Sequence, residues 1–207
     1  MRLNHDIDIS ARWLDECSNR IDGVRLPDDT RNRVSAALLH LALEHHGAIQ
    51  VLVSYEPSPL YGSAAALLRP QFEGCIRGIW YHRCASEQDL DKFIKGVEPP
   101  GINKLISDIE ALPGYEEGLQ ATKKSVWKIM SGLIHGGSAQ VASRNSATEI
   151  AVNYSDDQVR GILYWACTVT LLVSVAFATL LDNNAMANEL LSTYRNLFPG
   201  TPPIERG

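Results

Sequence analysis

The chain has 207 residues, of which 45% are hydrophobic and 21% charged, so neither a disordered nor a fibrous protein is expected. This length suits one domain with a substantial core and is short for two. The formal net charge of -5 argues against a surface basic enough to hold nucleic acid non-specifically, although a local basic cleft is compatible with it.

The first half of the sequence predicts three amphipathic helices. They cover about 6–22, from Asp28 or Asp29 to about Glu56, and about 60–85. In the second helix, steps of four and three predict a buried seam with His45 in line: Val34, Leu38, Leu41, Ala48, Leu52. In the third helix the predicted seam is Tyr61, Ala65, Leu68, Phe72, Cys75, Ile79. Pro70 removes one backbone hydrogen bond, so this helix is expected to bend or restart near Arg69.

The second half continues the helical pattern. Helices are predicted over the ranges 86–96, 102–112, 119–135, 156–182 and 185–198, whereas 138–155 stays open between a short helix with a loop and a little extended structure. The sequence therefore predicts an all-α protein, a single-domain up-and-down helical bundle over 1–207, with a core of about 6–198 and a loose tail over 199–207.

The uncharged run over 161–181 has two interpretations, because a helix that is apolar on every side lies either in a protein core or in a membrane. Ser155 and Gln158 form a capping box before it, and two aspartates suit the positive end of the helix dipole. These signals favour a central buried helix, with a membrane span as the alternative. The N-terminus shows no secretory pattern, so a cytoplasmic protein is expected.

Three charged residues, Arg69, Glu73 and Arg77, recur at four-residue intervals on the otherwise apolar third helix. They predict an internal tie between helices, an anion-binding site or an exposed ion-pair ladder. Two guanidinium groups beside one carboxylate leave a net positive charge, which suits a phosphate or carboxylate ligand.

A second polar cluster lies on the helix predicted over 119–135. Lys124, Lys128, Ser131 and His135 share one side of that helix, and two glycines follow the histidine. His135 in the last turn either caps its own helix or acts as a general acid–base or phosphate contact.

The cysteines and the other histidines predict structural roles. Four separated cysteines without a C-x-x-C pair predict free buried thiols, and no metal and no cofactor is expected. In the stretch HLALEHH, His40, Glu44 and His45 raise metal ligation as one interpretation, but a core histidine with satisfied hydrogen bonds is favoured. The phosphate-binding loop and the dinucleotide glycine fingerprint are both missing.

Two motifs together resemble a known type of protein. The first is Leu68-Arg69-Pro70, Glu73, Arg77-Gly78 and Trp80, and the second is Trp127, Ser131 and His135-Gly136-Gly137. They resemble a family of uncharacterised bacterial all-helical proteins that is distantly similar to the HEPN superfamily of helical nucleases and defence proteins.

The HEPN resemblance implies a dimer that cuts RNA without a metal, using an arginine that is separated from a histidine by four to six residues. This sequence departs from that pattern: the residue seven positions before His135 is a lysine, Lys128, and Arg144 follows the histidine.

The resulting prediction is a helical binding or regulatory module of a bacterial defence or toxin–antitoxin system, forming a homodimer and recognising a nucleotide or an RNA phosphate. A protein partner is also compatible with it. A metal-independent endoribonuclease is the first alternative, and a membrane-associated helical protein is the second. The candidate catalytic residues are His135, Arg69, Arg77, Glu73. The candidate ligand-binding residues are Lys128, Ser131, Arg144, Trp80.

Overall fold

The computed structural model describes residues 2–115, 118–124 and 153–199, together with Val141, Arg144 and Glu149. Its helices are α1 (Arg2–Ile21), α2 (Thr30–Val53), α3 (Tyr61–Arg83), α4 (Glu87–Ile94), α5 (Ile102–Glu110), α6 (Asp156–Leu180) and α7 (Asn184–Leu197). Residues 118–124 are also helical, and no strand occurs in the described ranges. The predicted all-α class is confirmed.

Helix boundaries follow local chemistry that the sequence already shows. The Asp29 carboxylate accepts the Asn32 backbone N–H at 2.9 Å and caps α2. Reciprocal capping boxes start α4, at Ser86, and α6, at Ser155. After α1 the chain turns through Gly23 at a φ of 75°, a left-handed conformation that favours glycine.

The helix α3 runs unbroken through Pro70, so it does not restart near Arg69. Proline deprives the carbonyl of Ala66 of its helical donor, but residues before and after it are buried against neighbouring helices. This packing holds the helix together across the missing hydrogen bond.

Two glycines let α2 and α3 approach closely. A Cβ atom added at Gly78 would lie 2.7 Å from Cγ of Leu39 and 3.2 Å from the carbonyl oxygen of Ser35. At Gly74 it would lie 3.3 Å from the carbonyl oxygen of Leu38. The glycine of the Arg77-Gly78 motif is therefore explained by helix packing.

The buried side of α2 differs from the predicted seam. Leu41 is 41% exposed and His45 is only half-buried, whereas the residues that face the core are Ser35, Ala36, Leu39, Ala42, Leu43, His46, Ile49, Val53. The observed buried side lies one position further along the chain than the predicted seam. It includes Ser35 and Ala42, which lie against the glycines of α3, and a histidine whose hydrogen bonds are satisfied.

A layer of polar side chains crosses the interior between two groups of buried apolar residues. One group includes Ile49, Leu68 and Ile162, and the other includes Trp13 and Phe72. Between them, α1, α2, α3 and α6 contribute one residue each to what we call the polar layer: Ser10, His46, Gln71, Thr170. All four are fully buried.

The helix α6 is buried on most sides by α1, α2, α3 and α7, as expected of a central helix. By length and composition, α2 and α6 are each apolar enough to cross a membrane, and 39% and 67% of their most apolar stretches are buried inside the protein. The core helix of a soluble protein satisfies the same criterion, so this is weak evidence for a membrane span.

Arg31 at the start of α2 ties this helix to the end of α3. Its guanidinium donates to the carbonyl oxygens of Tyr81 and Ala85, each at 2.7 Å, and pairs with Glu87 at 2.6 Å. A cation at a helix C-terminus compensates the negative end of the dipole. Arg31 thereby fixes the C-terminal end of α3.

Candidate functional site

The charged residues of α3 form what we call the ionic row: Arg69, Glu73, Arg77. Their side chains are 28%, 25% and 32% exposed, so the row is neither sealed in the core nor fully in solvent. Arg69 Nε donates to Glu73 Oε1 at 2.7 Å. Spacing of four residues places all three on one side of the helix.

In the contacts described, Glu73 pairs with Arg69 and not with Arg77. Arg77 Nη1 instead pairs at 3.3 Å with Oε2 of Glu98, which lies in the loop between α4 and α5 and is 79% exposed. The four groups carry two positive and two negative charges, so the net positive charge expected for the row is offset by Glu98. Spacing along α3 did not indicate this partner, because Glu98 is 21 positions away from Arg77 along the chain.

Trp80 continues the same side of α3 one turn after the ionic row. Its side chain is 4% exposed, and its indole Nε1 donates to Asp108 Oδ2 at 3.0 Å. Asp108 also accepts from Lys104, and the Lys104 hydrogen bond is the main reason that the pKa of Asp108 lies below its usual range. Trp80 therefore joins α3 to α5 through a carboxylate that stays ionised.

A cavity of about 600 Å³ opens at the C-terminal end of α3, beside Trp80. Its described lining comes from α3, α4, α5 and the adjoining loops: Trp80, Arg83, Cys84, Asp89, Pro100, Lys104, Asp108, Leu112. Arg69, Glu73 and Arg77 are not among these residues. The predicted candidates are thus divided between a row along α3 and a cavity at its end.

Most of the second predicted cluster falls outside the described residues. Lys124 is described and is exposed in the helical stretch 118–124, whereas Lys128, Ser131 and His135 lie outside the described ranges, so their relation to the ionic row stays a prediction. Arg144 is described, and it is exposed in a turn in which its backbone N–H donates to the Val141 carbonyl oxygen at 3.0 Å.

The polar layer contains a serine–histidine pair that the sequence did not indicate. Ser10 Oγ lies 3.0 Å from His46 Nε2, and Thr170 Oγ1 lies 2.7 Å from His46 Nδ1. Gln71 Nε2 donates to the carbonyl oxygen of Ala166 at 3.0 Å. Ser10 and His46 are both fully buried, so no substrate reaches them and their role is structural.

Burial decides the charge of this histidine. Desolvation lowers the pKa of His46 to about 3, so the imidazole is neutral at physiological pH. The neighbouring His45, which the sequence placed on the seam, is half-buried, and its pKa is lowered by the same cause to a smaller extent. The sequence indicated a core histidine only through the adjacent pair His45-His46. The helical periodicity placed His45 on the buried side, whereas the buried histidine is His46.

The remaining residues raised as metal ligands lie apart. His40 is exposed with Nε2 3.9 Å from Asp22, and Glu44 is exposed on α2. Within the described ranges, no three histidine, cysteine, aspartate or glutamate side chains are grouped so as to hold a metal ion.

All four cysteines are free, and three of them are fully buried: Cys17, Cys75, Cys167. Burial raises the pKa of each of these thiols to about 12. Cys84 is only partly buried, so the predicted buried thiols are found at three of the four positions.

Residues 39–202 match the model of a family described as "Family of unknown function (DUF6988)". The chain belongs to this family. The DUF6988 match spans most of the chain, including both sequence motifs and the helices α3, α6 and most of α2. It confirms the predicted membership of an uncharacterised family. No curated protein and no solved structure matches the chain significantly.

Proposed function

We propose that this DUF6988 protein is a binding module that recognises the phosphate of a nucleotide or RNA through the ionic row of α3. One observation carries the proposal: two arginines two turns apart are partly exposed on a helix whose other residues are mostly buried. Keeping charged groups on such a helix is costly unless they are paired or used. The HEPN resemblance extends the proposal to a bacterial defence or toxin–antitoxin system.

The two arginines differ in how firmly they are held. The Arg69–Glu73 pair is sheltered on both sides, so Glu73 positions the Arg69 guanidinium. In contrast, Glu98 is largely in solvent, and an exposed pair of this kind contributes only about 0–1 kcal/mol. A phosphate forms shorter, bidentate hydrogen bonds with arginine, so it can displace Glu98 from Arg77.

The spacing of the row suits an extended ligand. Eight residues of α-helix correspond to a rise of about 12 Å between Arg69 and Arg77. Trp80 lies one turn further along, so a nucleotide bound at Arg77 would lie close to the aromatic end of α3. His135 and Lys128 are proposed to complete this surface from the second motif.

The test is the affinity for a fluorescein-labelled single-stranded RNA, measured by fluorescence polarisation at low salt, with ADP as competitor. Arg77→Gln should weaken binding about tenfold, whereas Glu98→Gln should strengthen it severalfold because Arg77 loses its competitor. Arg33→Gln is the matched control, since Arg33 also pairs with an exposed aspartate but lies on α2.

Arg77→Gln and Glu98→Gln are expected to change the affinity for RNA in opposite directions, and this difference makes the test decisive. A purely structural Arg77–Glu98 pair would give variants that change in the same direction, because either substitution breaks the same contact. The proposal is rejected if neither RNA nor ADP binds, if Arg77→Gln binds like the unmodified protein, or if Glu98→Gln weakens binding.

The endoribonuclease alternative is supported by the histidine motif and the HEPN resemblance. In that case His135 would transfer a proton at the 2′-hydroxyl or the leaving oxygen, with the arginines stabilising charge on the phosphate. The same RNA, incubated with protein and EDTA and analysed on a gel, separates the two functions. Cleavage that disappears in His135→Ala would establish the nuclease, and intact RNA would leave the binding module.

A further inference from the structure

We propose that the cavity at the C-terminal end of α3 is a separate binding site for a small organic anion with a flat, apolar body. This inference does not depend on phosphate recognition by the ionic row. It rests on the charges that face the cavity, on the tightly held Trp80 in its wall and on the volume of the cavity.

The described lining of the cavity contains two cations, Arg83 and Lys104, and two carboxylates, Asp89 and Asp108. Lys104 is paired with Asp108. Asp89 accepts from the backbone N–H and the hydroxyl of Ser86, at 3.0 and 2.6 Å, and its charge is further offset by the positive end of the α4 dipole. Throughout the part of the chain that the structure describes, the exposed guanidinium of Arg83 has no carboxylate partner.

The charges of the described lining therefore balance in total, but the Arg83 guanidinium has no carboxylate beside it among the described residues, and the Lys104 ammonium lies on the same lining. A Lys104 ammonium that donates to Asp108 has further hydrogens with which it can donate to a ligand. The pKa of the Cys84 thiol is raised, mainly by burial. The thiol therefore stays protonated and adds no negative charge. A carboxylate or phosphate group is the ligand chemistry that these side chains select.

One wall of the cavity is formed by the tightly held Trp80, and the lining is partly apolar. Trp80 is fixed by packing in the core and by its hydrogen bond to Asp108, and it contacts Tyr81 edge-on, with ring centroids 5.0 Å apart. Pro100 and Leu112 add aliphatic surface. This arrangement favours an aromatic or aliphatic ring next to the charged group, and a volume of about 600 Å³ lies in the range of small-molecule sites.

The experiment is isothermal titration of the full chain with phenyl phosphate and, separately, with inorganic phosphate. Phenyl phosphate should bind at least about tenfold more tightly, because its ring removes apolar surface from water. Arg83→Gln should weaken phenyl phosphate about tenfold. Arg25→Gln is the matched control, because Arg25 is also exposed but lies between α1 and α2, and this variant should bind like the unmodified protein.

A site-specific readout accompanies the titration. The indole N–H resonance of Trp80, assigned with Trp80→Phe, should shift with phenyl phosphate, because its hydrogen-bond partner Asp108 lines the cavity. Arg83→Gln should abolish this shift, whereas the control Arg25→Gln should retain it. The inference is overturned by absence of binding at millimolar phenyl phosphate, by equal affinity for both probes or by unchanged binding in Arg83→Gln.

Discussion

Replacing Gly78 with alanine tests whether the motif glycine serves helix packing. In an open helical position, Gly→Ala stabilises a protein by about 0.5–1 kcal/mol because glycine loses more backbone entropy on folding. At Gly78 the new methyl would lie 2.7 Å from Cγ of Leu39, a side chain that is 1% exposed and packed in the hydrophobic core. The Ser35 carbonyl oxygen, at 3.2 Å, belongs to backbone and is equally fixed.

The overpacking at this position should cost about 1–3 kcal/mol. It outweighs the helix-propensity gain, so we expect Gly78→Ala to be destabilised by about 1–2 kcal/mol net. For a chain of this size that corresponds to a fall in Tm of about 5 °C. Gly161→Ala is the matched control, because a Cβ atom there meets nothing within 4 Å, and it should be stabilised by about 0.5–1 kcal/mol.

Urea unfolding followed by circular dichroism at 222 nm measures both variants against the unmodified protein. The packing explanation predicts changes of opposite sign in the free energy of unfolding. If Gly78→Ala proves as stable as Gly161→Ala, the close approach of α2 and α3 is not what requires glycine at this position.

Three other features give measurable expectations. Burial depresses the pKa of His46 to about 3, so below about pH 6.5 the unfolded chain binds the extra proton first, and stability should fall by up to about 1.4 kcal/mol per pH unit towards pH 3. His46→Gln should lack this component in urea titrations at several pH values; an identical pH slope would contradict the neutral, buried imidazole. Arg31→Gln should cost about 1–2 kcal/mol by thermal unfolding through lost hydrogen bonds to the end of α3, against little change for Arg33→Gln, and equal effects would argue against this cap. In the native protein at pH 8, only Cys84 should react with a thiol reagent, and all four thiols should react in urea; rapid modification of a second native thiol would be inconsistent with the burial described.

The helices were predictable wherever the sequence carries its own end signals. Ser86 and Asp89, like Ser155 and Gln158, bond to backbone groups only three residues away, so these starts depend on local chemistry alone. The buried side of α2 was not predictable in the same way. It depends on how closely α3 approaches at Gly78, which is a property of two helices together.

The contacts of the ionic row were predicted in part. Four-residue spacing correctly placed Arg69 and Glu73 within hydrogen-bonding reach. The partner of Arg77 is Glu98, and the partner of Trp80 is Asp108, both from other segments brought near by folding. Spacing along one helix contains no information about such partners, and for the same reason the cavity at the end of α3 had no sequence signature.

The attachment of α1 bears on how the protein can be divided. The DUF6988 match begins at residue 39, inside α2. Yet Trp13 is completely enclosed, its indole N–H donates to the Cys167 carbonyl oxygen at 3.1 Å, and Ser10 contacts the His46 ring. A fragment cut at the similarity boundary would lose the first turns of α2, leave a tryptophan-sized hole beside α6 and strip the imidazole of a partner. The segment that matches the family model is therefore shorter than the segment that has to be expressed for the core to be complete.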